Sequence, residues 1–370
     1  MPFSAKDENG NPVDWWFMYK VAGNSTTGDG RKLAGTEYVY FDANTPADGK
    51  LVLSPHHVDT DGALPQTLQQ VYAKQGPATR HQGWFFYNDE NPITGQVVGA
   101  RGHTKGVLAF DLASDTAFWL IQSTPKFPPK GKYAFPLTGR PNAQTLLCIT
   151  LENAAIAQAI ANEMFAAQQP NVYLASNIPV DLANVPNDPR MKLMQNLVAS
   201  GNTPVQVVIP FNSKGGVKFM SMAKNKTWGN DFYNDLVGPT LHENLDVETW
   251  EHDPTPAALD SDKIHTVVDM KGIDLNPLGI DIKWDLPEDH AKLAISARSE
   301  QTHYVCIGDI NFTIAQRKRG GGTVAFQCEA LWKSISATLV DVSVHVRPGS
   351  TAAKQQAALK AAKKKAKPGS

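Results

Sequence analysis

Cysteine is scarce in this sequence, which has only Cys148, Cys306 and Cys328 among its 370 residues. Three cysteines cannot build a disulfide framework, and their spacing fits no metal-ligand pattern. One bridge remains open, with Cys306 to Cys328 as the more plausible pair. We favour the simpler interpretation, that the three are small buried apolar side chains.

Long apolar runs are also missing. No stretch approaches the ~20 residues that a membrane-spanning helix needs, so the sequence predicts no membrane segment. The first ten residues contain no apolar region of the signal-peptide type. We therefore expect no leader within this chain, and the sequence alone leaves its compartment unknown.

Acidic residues and histidines do not cluster at metal-ligand spacing, so we expect neither a metal ion nor another cofactor. The net charge of −1 hides an asymmetry, because residues 351–370 carry six lysines and no acid, which leaves −7 for residues 1–350. Such a body repels nucleic acid at neutral pH. The ten histidines titrate near ~6.5, so a polyanionic substrate would be held best in acid.

Two stretches repeat one chemistry. His103 and Lys105 stand two residues apart at the head of an apolar run, and so do His290 and Lys292. Alternate side chains of a strand share a face, so we expect each couple to point one way, roughly 7 Å apart along its strand. The first such strand is predicted to run from His103 to Leu112.

Each couple opens a predicted hairpin of matched length. Lys105 and Gln122 lie 17 residues apart, and Lys292 and Asp309 are separated by the same 17 residues. The match predicts an internal duplication about a pseudo-twofold axis, with the two strands meeting at the centre.

The couples suit phosphoryl transfer. A neutral imidazole can attack phosphorus and form a phosphohistidine, while a protonated one can donate to the leaving oxygen. Lys105 and Lys292 would clamp the non-bridging oxygens, which removes the need for a divalent metal. A second anion site is one interpretation of Arg317-Lys-Arg-Gly-Gly-Gly-Thr323, and a solvated turn is the other.

At these residues the sequence resembles the deoxyribonuclease II family of acid endonucleases, which is similar in fold to the phospholipase D superfamily. The resemblance runs in consistent order from about residue 11 to 335. The matching stretches are Pro12–Lys20, Tyr87–Asp89, Arg101–Leu108, Phe118–Ile121, Phe127–Pro129, Gln144–Cys148, Glu288–Lys292, Cys306–Asn311, Arg319–Thr323 and Ala330–Lys333.

The resemblance implies metal-independent hydrolysis of double-stranded DNA to 3′-phosphate and 5′-hydroxyl ends, with an acidic optimum. It implies His103 as the nucleophile and His290 as the general acid, although the opposite assignment stays open. Asn311 is similar to the polar residue that follows the motif in the phospholipase D superfamily. The expected supporting or substrate-binding residues are Asn311, Asp309, Arg101, Gln122, Ser123 and Arg319.

Two departures from the family pattern stand out. Gln122 occupies a position where the animal enzymes carry histidine, which puts any accessory role there in doubt. Val324-Ala325 and Ala294 replace expected cysteines, so a lysosomal or secreted location follows from the resemblance alone.

We therefore expect an α/β protein of two pseudo-twofold-related, phospholipase D-like halves, each a sheet flanked by helices, with one active site between them. Residues 1–170 would form the first half and 171–349 the second, and 350–370 would be a disordered basic tail. Helices are predicted at 151–168 and 189–200. A homodimer stays open. The rival functions are a phosphodiesterase acting on a non-DNA substrate and a non-catalytic polyanion binder.

Overall fold

A computed structural model describes residues 2–23, 25, 27–73, 82–176, 205–250 and 264–343. The predicted helix at 189–200 and the tail at 350–370 lie outside these residues. The described part is a mixed α/β structure with two large sheets and few helices. None of its helices is long and apolar enough to cross a membrane.

The first sheet has eight strands. A short hairpin of β1 (Ala5–Lys6) and β2 (Pro12–Val13) precedes it. Its strands are β3 (Trp15–Lys20), β4 (Tyr38–Asp42), β5 (Val52–Leu53), β6 (Gln82–Asn88), β7 (Lys105–Asp111), β8 (Thr116–Gln122), β9 (Gln144–Leu151) and β10 (Val172–Ser176). Their spatial order is β10-β6-β7-β8-β9-β3-β4-β5, and every neighbouring pair is antiparallel.

The second sheet has nine strands. These are β11 (Gln206–Asn212), β12 (Lys218–Lys224), β13 (Leu245–Thr249), β14 (Val267–Asp274), β15 (Lys283–Asp285), β16 (Lys292–Ser296), β17 (Tyr304–Gly308), β18 (Gly321–Gln327) and β19 (Leu339–Ser343). Their order is β11-β12-β18-β17-β16-β13-β14-β15, with β19 paired to β14. Only β13 and β14 are parallel among these pairs.

Among the described residues, four helices accompany the sheets: α1 (Ala63–Tyr72), α2 (Ala154–Glu163), α3 (Gly238–Leu241) and α4 (Glu329–Thr338). Asn153 caps α2, because its side chain accepts the backbone N–H of Ile156 at 3.1 Å. A π turn, Met164–Gln168, continues α2, and a second π turn, Tyr233–Val237, leads into α3. Short 3₁₀ turns cover Leu137–Gly139, Asn276–Leu278, Leu286–Glu288 and Ile314–Lys318.

Both sheets are buried on two faces, which explains why their central strands are nearly continuous apolar runs. In β3, Trp15 and Phe17 pack into the core shared with the second sheet, whereas Trp16 and Met18 face the side covered by α1. The ring centroids of Trp15 and Phe326 lie 4.9 Å apart and join the two sheets. Residues around α3 cover the far face of the second sheet.

The structure corrects the predicted start of the first motif strand. Strand β7 begins at Lys105 and not at His103, and β16 likewise begins at Lys292. The backbone N–H of His103 donates to the carbonyl of Gly320 at 2.8 Å, and this contact takes the place of a partner within its own sheet. Each histidine thus stands just before its strand, at the edge where the two sheets meet.

The matched 17-residue spacing does not mark structurally equivalent residues. Gly106 pairs with Ile121 and Leu293 pairs with Ile307, so the second hairpin is one residue shorter than the first. By this register the counterpart of Asp309 is Ser123 and not Gln122. All three cysteines are free thiols, so the open Cys306 to Cys328 bridge does not form.

Candidate active site

The ring of His103 is fixed in one tautomer. Its Nδ1 lies 2.6 Å from the backbone carbonyl of Asp309, and a carbonyl can only accept, so Nδ1 carries a proton. The neutral ring then keeps a lone pair on Nε2. Burial lowers the pKa of His103 well below its usual value, and the nearby charges of Lys105, Lys292 and Arg319 lower it further, against the opposite effect of Asp89. His103 is therefore held as a neutral imidazole.

Three side chains, those of Lys105, Arg319 and His103, lie around the carboxylate of Asp89. Its carboxylate accepts Lys105 Nζ at 2.5 Å and Arg319 Nη2 at 2.9 Å, and it lies 4.0 Å from His103 Nε2. Burial would raise its pKa, but the charges of Lys105, His103 and Arg319 outweigh burial and hold the pKa far below its usual range. Asp89 is thus a buried carboxylate that binds both Lys105 and Arg319 beside the lone pair of His103.

Asp309 binds the first couple through two of its groups. Besides the carbonyl that orients His103, its Oδ1 accepts the backbone N–H of Lys105 at 3.3 Å. Burial raises the pKa of its side chain to about 8, despite the opposing charges of Lys105 and Lys292. At acidic pH, Asp309 is a neutral acid, so its side chain leaves the local charge positive.

The second couple has a different surrounding. The rings of His290 and Trp250 lie 4.6 Å apart between centroids at 52°. Lys292 Nζ donates to the carbonyl of His290 at 2.6 Å. Burial and the charge of Lys105 together lower the pKa of Lys292 to about 7, against the opposite effects of Asp289, Asp89 and Asp309. The two ammonium groups therefore share one electrostatic environment.

Asp289 anchors the chain just before His290. Its carboxylate accepts the hydroxyl of Tyr19 and the Nε1–H of Trp284, the latter at 2.6 Å. Its other oxygen accepts the backbone N–H of Ala291 at 2.8 Å. Burial raises the pKa of Asp289, while these hydrogen bonds lower it. These contacts fix the backbone on both sides of His290.

The two histidines are docked by equivalent cross-sheet contacts. The backbone N–H of His103 donates to Gly320, which directly precedes β18, at 2.8 Å. The backbone N–H of His290 donates to Ala143, which directly precedes β9, at 2.9 Å. Each histidine is therefore held by the sheet opposite to its own motif strand.

The structure distributes the remaining candidate residues unevenly. Arg319 joins the site through Asp89, and its Nε donates to the carbonyl of Arg101 at 3.1 Å, while the Arg101 side chain is exposed. The side chain of Asn311 is buried, and its Oδ1 accepts no hydrogen bond from the residues that the structure describes. The structure thus leaves one acceptor of Asn311 unsatisfied, and its role in binding substrate stays a prediction.

Ser123 and Gln122 support neighbouring backbone. Ser123 Oγ donates to Gln144 at 2.6 Å and accepts the backbone N–H of Thr145 at 3.1 Å, and Thr145 Oγ1 in turn accepts the backbone N–H of Lys292 at 3.4 Å. Gln122 instead holds the following loop, because its Nε2 donates to the carbonyl of Phe127 at 3.0 Å. This hydrogen bond of Gln122 is made to the loop and not to either couple.

The glycine run at the start of β18 is explained by close packing. A Cβ on Gly320 would come within 2.4 Å of the Gln168 carbonyl, and one on Gly102 within 1.9 Å of the same atom. A Cβ on Gly322 would meet the carbonyl of Met222 at 2.6 Å. The π turn that ends at Gln168 thus presses against Gly102, which precedes His103, and against Gly320, whose carbonyl binds the backbone of His103, and the two glycines make room for it.

Sequence reasoning did not single out Asp89, Asp289 and Trp250. Asp89 lay within the matching stretch Tyr87–Asp89 and Asp289 directly precedes a motif histidine, and those positions were the available signal. Trp250 had no such signal, because it follows β13 and reaches His290 only through the pairing of β13 with β16. Within the described ranges, no three His, Cys, Asp or Glu side chains are grouped to hold a metal ion.

Comparison with known proteins gives a consistent result. The family profile described as deoxyribonuclease II matches residues 4–344. A putative deoxyribonuclease-2 of Burkholderia pseudomallei (strain K96243) is 41% identical over 362 residues, which cover 96% of this chain and 97% of the relative. Deoxyribonuclease-2 of Caenorhabditis elegans is 34% identical, covering 90% and 92%. Deoxyribonuclease-2-alpha of Rattus norvegicus is 30% identical, covering 90% and 91%.

The profile match spans nearly the whole chain, and the relatives are similar over nearly their whole lengths. The resemblance that the two His-x-Lys couples first indicated is therefore confirmed. The chain belongs to the deoxyribonuclease II family and is a nuclease, a hydrolase of the deoxyribonuclease type.

Proposed function

We propose that this protein is a metal-independent acid endonuclease that cuts double-stranded DNA to 3′-phosphate and 5′-hydroxyl ends through a phosphohistidine. The observation that carries the proposal is the docking of each motif histidine on the opposite sheet, through the backbone contacts of His103 to Gly320 at 2.8 Å and of His290 to Ala143 at 2.9 Å. In agreement with this, the charge of Lys292 lowers the pKa of His103 and that of Lys105 lowers the pKa of Lys292. One phosphate between the couples would relieve the repulsion between the two ammonium groups.

The first step uses His103 as the nucleophile. Its Nε2 lone pair attacks the phosphorus, and the bond from phosphorus to the 5′-oxygen of the leaving strand breaks. The proton on Nδ1 stays hydrogen-bonded to the Asp309 carbonyl, which stabilises the positive ring that forms. The lowered pKa of His103 supports this assignment, because the ring stays neutral in acid while a general acid must be protonated.

His290 takes the complementary role. As an imidazolium it donates a proton to the leaving 5′-oxygen, and as a neutral base it then takes a proton from water. The water attacks phosphorus, the bond to His103 Nε2 breaks, and a 3′-phosphate is released. The ring of Trp250 lies 4.6 Å from that of His290 between centroids, which gives His290 an aromatic neighbour in the proposed site.

The cations bind the non-bridging oxygens. Lys105 and Arg319 are held by Asp89 in the absence of substrate, so an entering phosphate must compete with this carboxylate. Lys292 contributes a further ammonium group from the other couple. Charge compensation by these side chains makes a divalent metal unnecessary for the proposed reaction.

We also propose two phospholipase D-like halves, residues 1–170 and 171–349, with the site between them, and with β10 at the start of the second range paired to β6 of the first sheet. The runs β6-β7-β8-β9-β3-β4 and β13-β16-β17-β18-β12-β11 support this, because both are wholly antiparallel and place the motif strand second. The two runs differ at their ends, because β3 precedes β4 in the chain while β12 follows β11. A single chain supplies both couples, so the proposed site needs no second copy.

Acidic conditions favour the proposed reaction for two reasons. Asp309, with its pKa raised to about 8, is neutral in acid, and protonated histidines make the body of the protein attractive to DNA. A lysosomal or extracellular setting of low pH fits this chemistry. A phosphodiesterase acting on a non-DNA substrate remains the second candidate, since the couples recognise a phosphate and not a base.

Plasmid nicking at pH 5 in EDTA tests the proposal. The expected result is nicking that yields 5′-hydroxyl and 3′-phosphate ends and is lost in both His103→Ala and His290→Ala. Full activity at pH 8 that depends on magnesium would contradict it. Hydrolysis of a phosphocholine ester with an intact plasmid would favour the second candidate.

A further inference from the structure

Two lysines are fully buried at the ends of corresponding strands. Lys20 is the last residue of β3 and Lys224 is the last residue of β12, and both have 0% exposed surface. Strand β3 pairs with β9, and β12 pairs with β18 in the same antiparallel sense. Neither side chain forms an ion pair within the described part of the chain, so another contact must compensate the burial of each ammonium.

Each ammonium is surrounded by backbone carbonyls. Lys20 Nζ donates to Val21 at 2.9 Å and to Gly35 and Arg140 at 3.1 Å. An ammonium has three protons, so these three acceptors use all of them.

Lys224 is bound in the same way. Its Nζ donates to the carbonyls of Gln316 at 2.9 Å, Arg317 at 3.3 Å and Arg319 at 2.5 Å. All three belong to the segment that leads into β18. Both lysines therefore tie a loop to the end of a strand through charge-assisted hydrogen bonds.

The loops bound by these lysines are the ones that dock the catalytic histidines. The Arg140 carbonyl lies three residues before Ala143, whose own carbonyl receives the backbone N–H of His290 at 2.9 Å. The Arg319 carbonyl lies directly before Gly320, whose carbonyl receives the backbone N–H of His103 at 2.8 Å.

The connections run crosswise. Lys20, in the first sheet, is linked to His290 of the second sheet, and Lys224, in the second sheet, is linked to His103 of the first. We propose that Lys20 and Lys224 are positioning residues, and that each sets the place of the motif histidine from the opposite sheet. This inference rests on the proposed function for its effect on catalysis, but its geometric part does not.

Burial weakens the charge of both groups. It lowers the pKa of Lys20 to about 7, with Asp289 and Glu37 opposing and Arg140 adding to the effect. It lowers the pKa of Lys224 to about 8, with Asp231 opposing and Arg319 adding. Both lysines are fully charged at acidic pH, where all three protons are available to the carbonyls, and this is the condition proposed for the reaction.

The experiment compares Lys20→Met and Lys224→Met in the full-length protein with ¹³C-labelled histidine. Methionine fills the same space but donates no hydrogen bond. The ring signals, assigned with His103→Ala and His290→Ala, are titrated by NMR. Lys224→Met is expected to shift the signal and titration of His103 while His290 stays in place, and Lys20→Met is expected to do the reverse.

Kinetics at pH 5 supply a second readout. Each variant is expected to lose ten-fold or more in kcat with KM within about two-fold, because misplacing a reacting group by ~1 Å costs on the order of a hundred-fold in rate. Thr67→Val is the matched control, since Thr67 is a fully buried polar residue on α1 that contacts β1. It should lower stability but leave both histidine titrations and kcat unchanged.

The outcomes separate the two claims. Shifts in both histidines, or in neither, with either lysine variant would overturn the positioning role even if the wild-type protein cuts DNA. If the lysine variants show the crosswise pattern but the wild-type protein cuts no DNA, the positioning role is upheld and the proposed function is rejected. If a methionine variant does not fold, Lys20→Gln or Lys224→Gln, which keeps two donors, is expected to give the same pattern with smaller shifts.

Discussion

The carboxylate of Asp89 accepts Lys105 Nζ at 2.5 Å, although both side chains are almost completely buried. This pair places an anion of the protein where the proposed reaction needs the phosphate of the substrate. The site is thus electrostatically complete before DNA arrives, and it should accept another anion when the carboxylate is removed.

Replacing Asp89 by Asn leaves Lys105 buried without its carboxylate. Removing one partner of a buried ion pair leaves the other charge buried without compensation, so the free energy of unfolding is expected to fall by about 3–5 kcal/mol. Inorganic phosphate should restore part of this loss by taking the place of the carboxylate. Urea unfolding at pH 5 with and without phosphate measures both effects.

Asp61→Asn is the control for that prediction. Asp61 pairs with His56 on the surface at 2.8 Å, with half of its side chain exposed, so its loss is expected to cost at most ~1 kcal/mol. Equal stabilisation of the wild-type protein and Asp89→Asn by phosphate would show that Asp89 and the anion do not compete.

The titration of His103 is a second prediction. Because burial and Lys105 lower its pKa, the ring should take up a proton only at a pH well below the one at which an ordinary histidine does so. The unfolded chain binds that proton near ~6.5, so this group lowers stability as the pH falls through and below that value. Titration of the ¹³C-labelled ring from pH 3 to 8 checks this, and a midpoint at or above 6.5 would refute it.

Glu163 gives a stability change of the opposite sign. Burial raises its pKa to about 8, and Ser221 donates to its Oε1 at 2.7 Å. Hydrogen bonding from Ser221 and Gln168 lowers the pKa, but burial outweighs it. Because the pKa of Glu163 is raised in the folded state, its contribution to stability is fully present below pH ~4.5 and is lost as the pH rises through about 8.

Glu163→Gln should therefore unfold like the wild-type protein at pH 4 but be more stable at pH 8, by about 2–4 kcal/mol. Urea unfolding at the two pH values measures the difference, with the exposed residue Glu152, changed to Gln, as the control. Parallel pH profiles of wild type and Glu163→Gln would show that Glu163 is not a neutral acid in the folded state.

Gly102 provides a steric prediction beside His103. In Gly102→Ala the new Cβ would lie 1.9 Å from the Gln168 carbonyl, so backbone must move and the free energy of unfolding should fall by about 1–3 kcal/mol. Nicking activity should fall as well, because the displaced residue adjoins His103. Gly99→Ala, with no atom within 4 Å of its Cβ, should change neither, and equal behaviour of the two variants in thermal unfolding would reject the packing argument.

Local pattern was enough to predict the family. His103, Lys105, His290 and Lys292 stand out because the same two residue types recur before an apolar run, and the family that this pattern indicated is confirmed by the profile match over residues 4–344. Their catalytic roles stay predictions. The apolar runs themselves predicted most central strands, since strands that are buried on both faces must be apolar on both.

Contacts between distant segments were not visible in the sequence. The role of Lys20 depends on the Arg140 carbonyl, 120 residues away, and Asp309 reaches His103 across 206 residues. The predicted helix at 151–168 ends as a regular helix at Glu163, because the following π turn brings Gln168 against Gly102 and Gly320. Nothing in the spacing of residues 164–168 signals that contact.

The central claim is that His103 attacks phosphorus while His290 handles the proton. The most direct measurement uses thymidine 3′-(p-nitrophenyl phosphate), whose leaving group departs without a proton. His290→Ala should release p-nitrophenolate in a burst of one equivalent and retain thymidine 3′-phosphate on His103, detected by mass spectrometry after an alkaline quench, and His103→Ala should give neither. An adduct on His290, or steady release with no adduct in His290→Ala, would contradict the account.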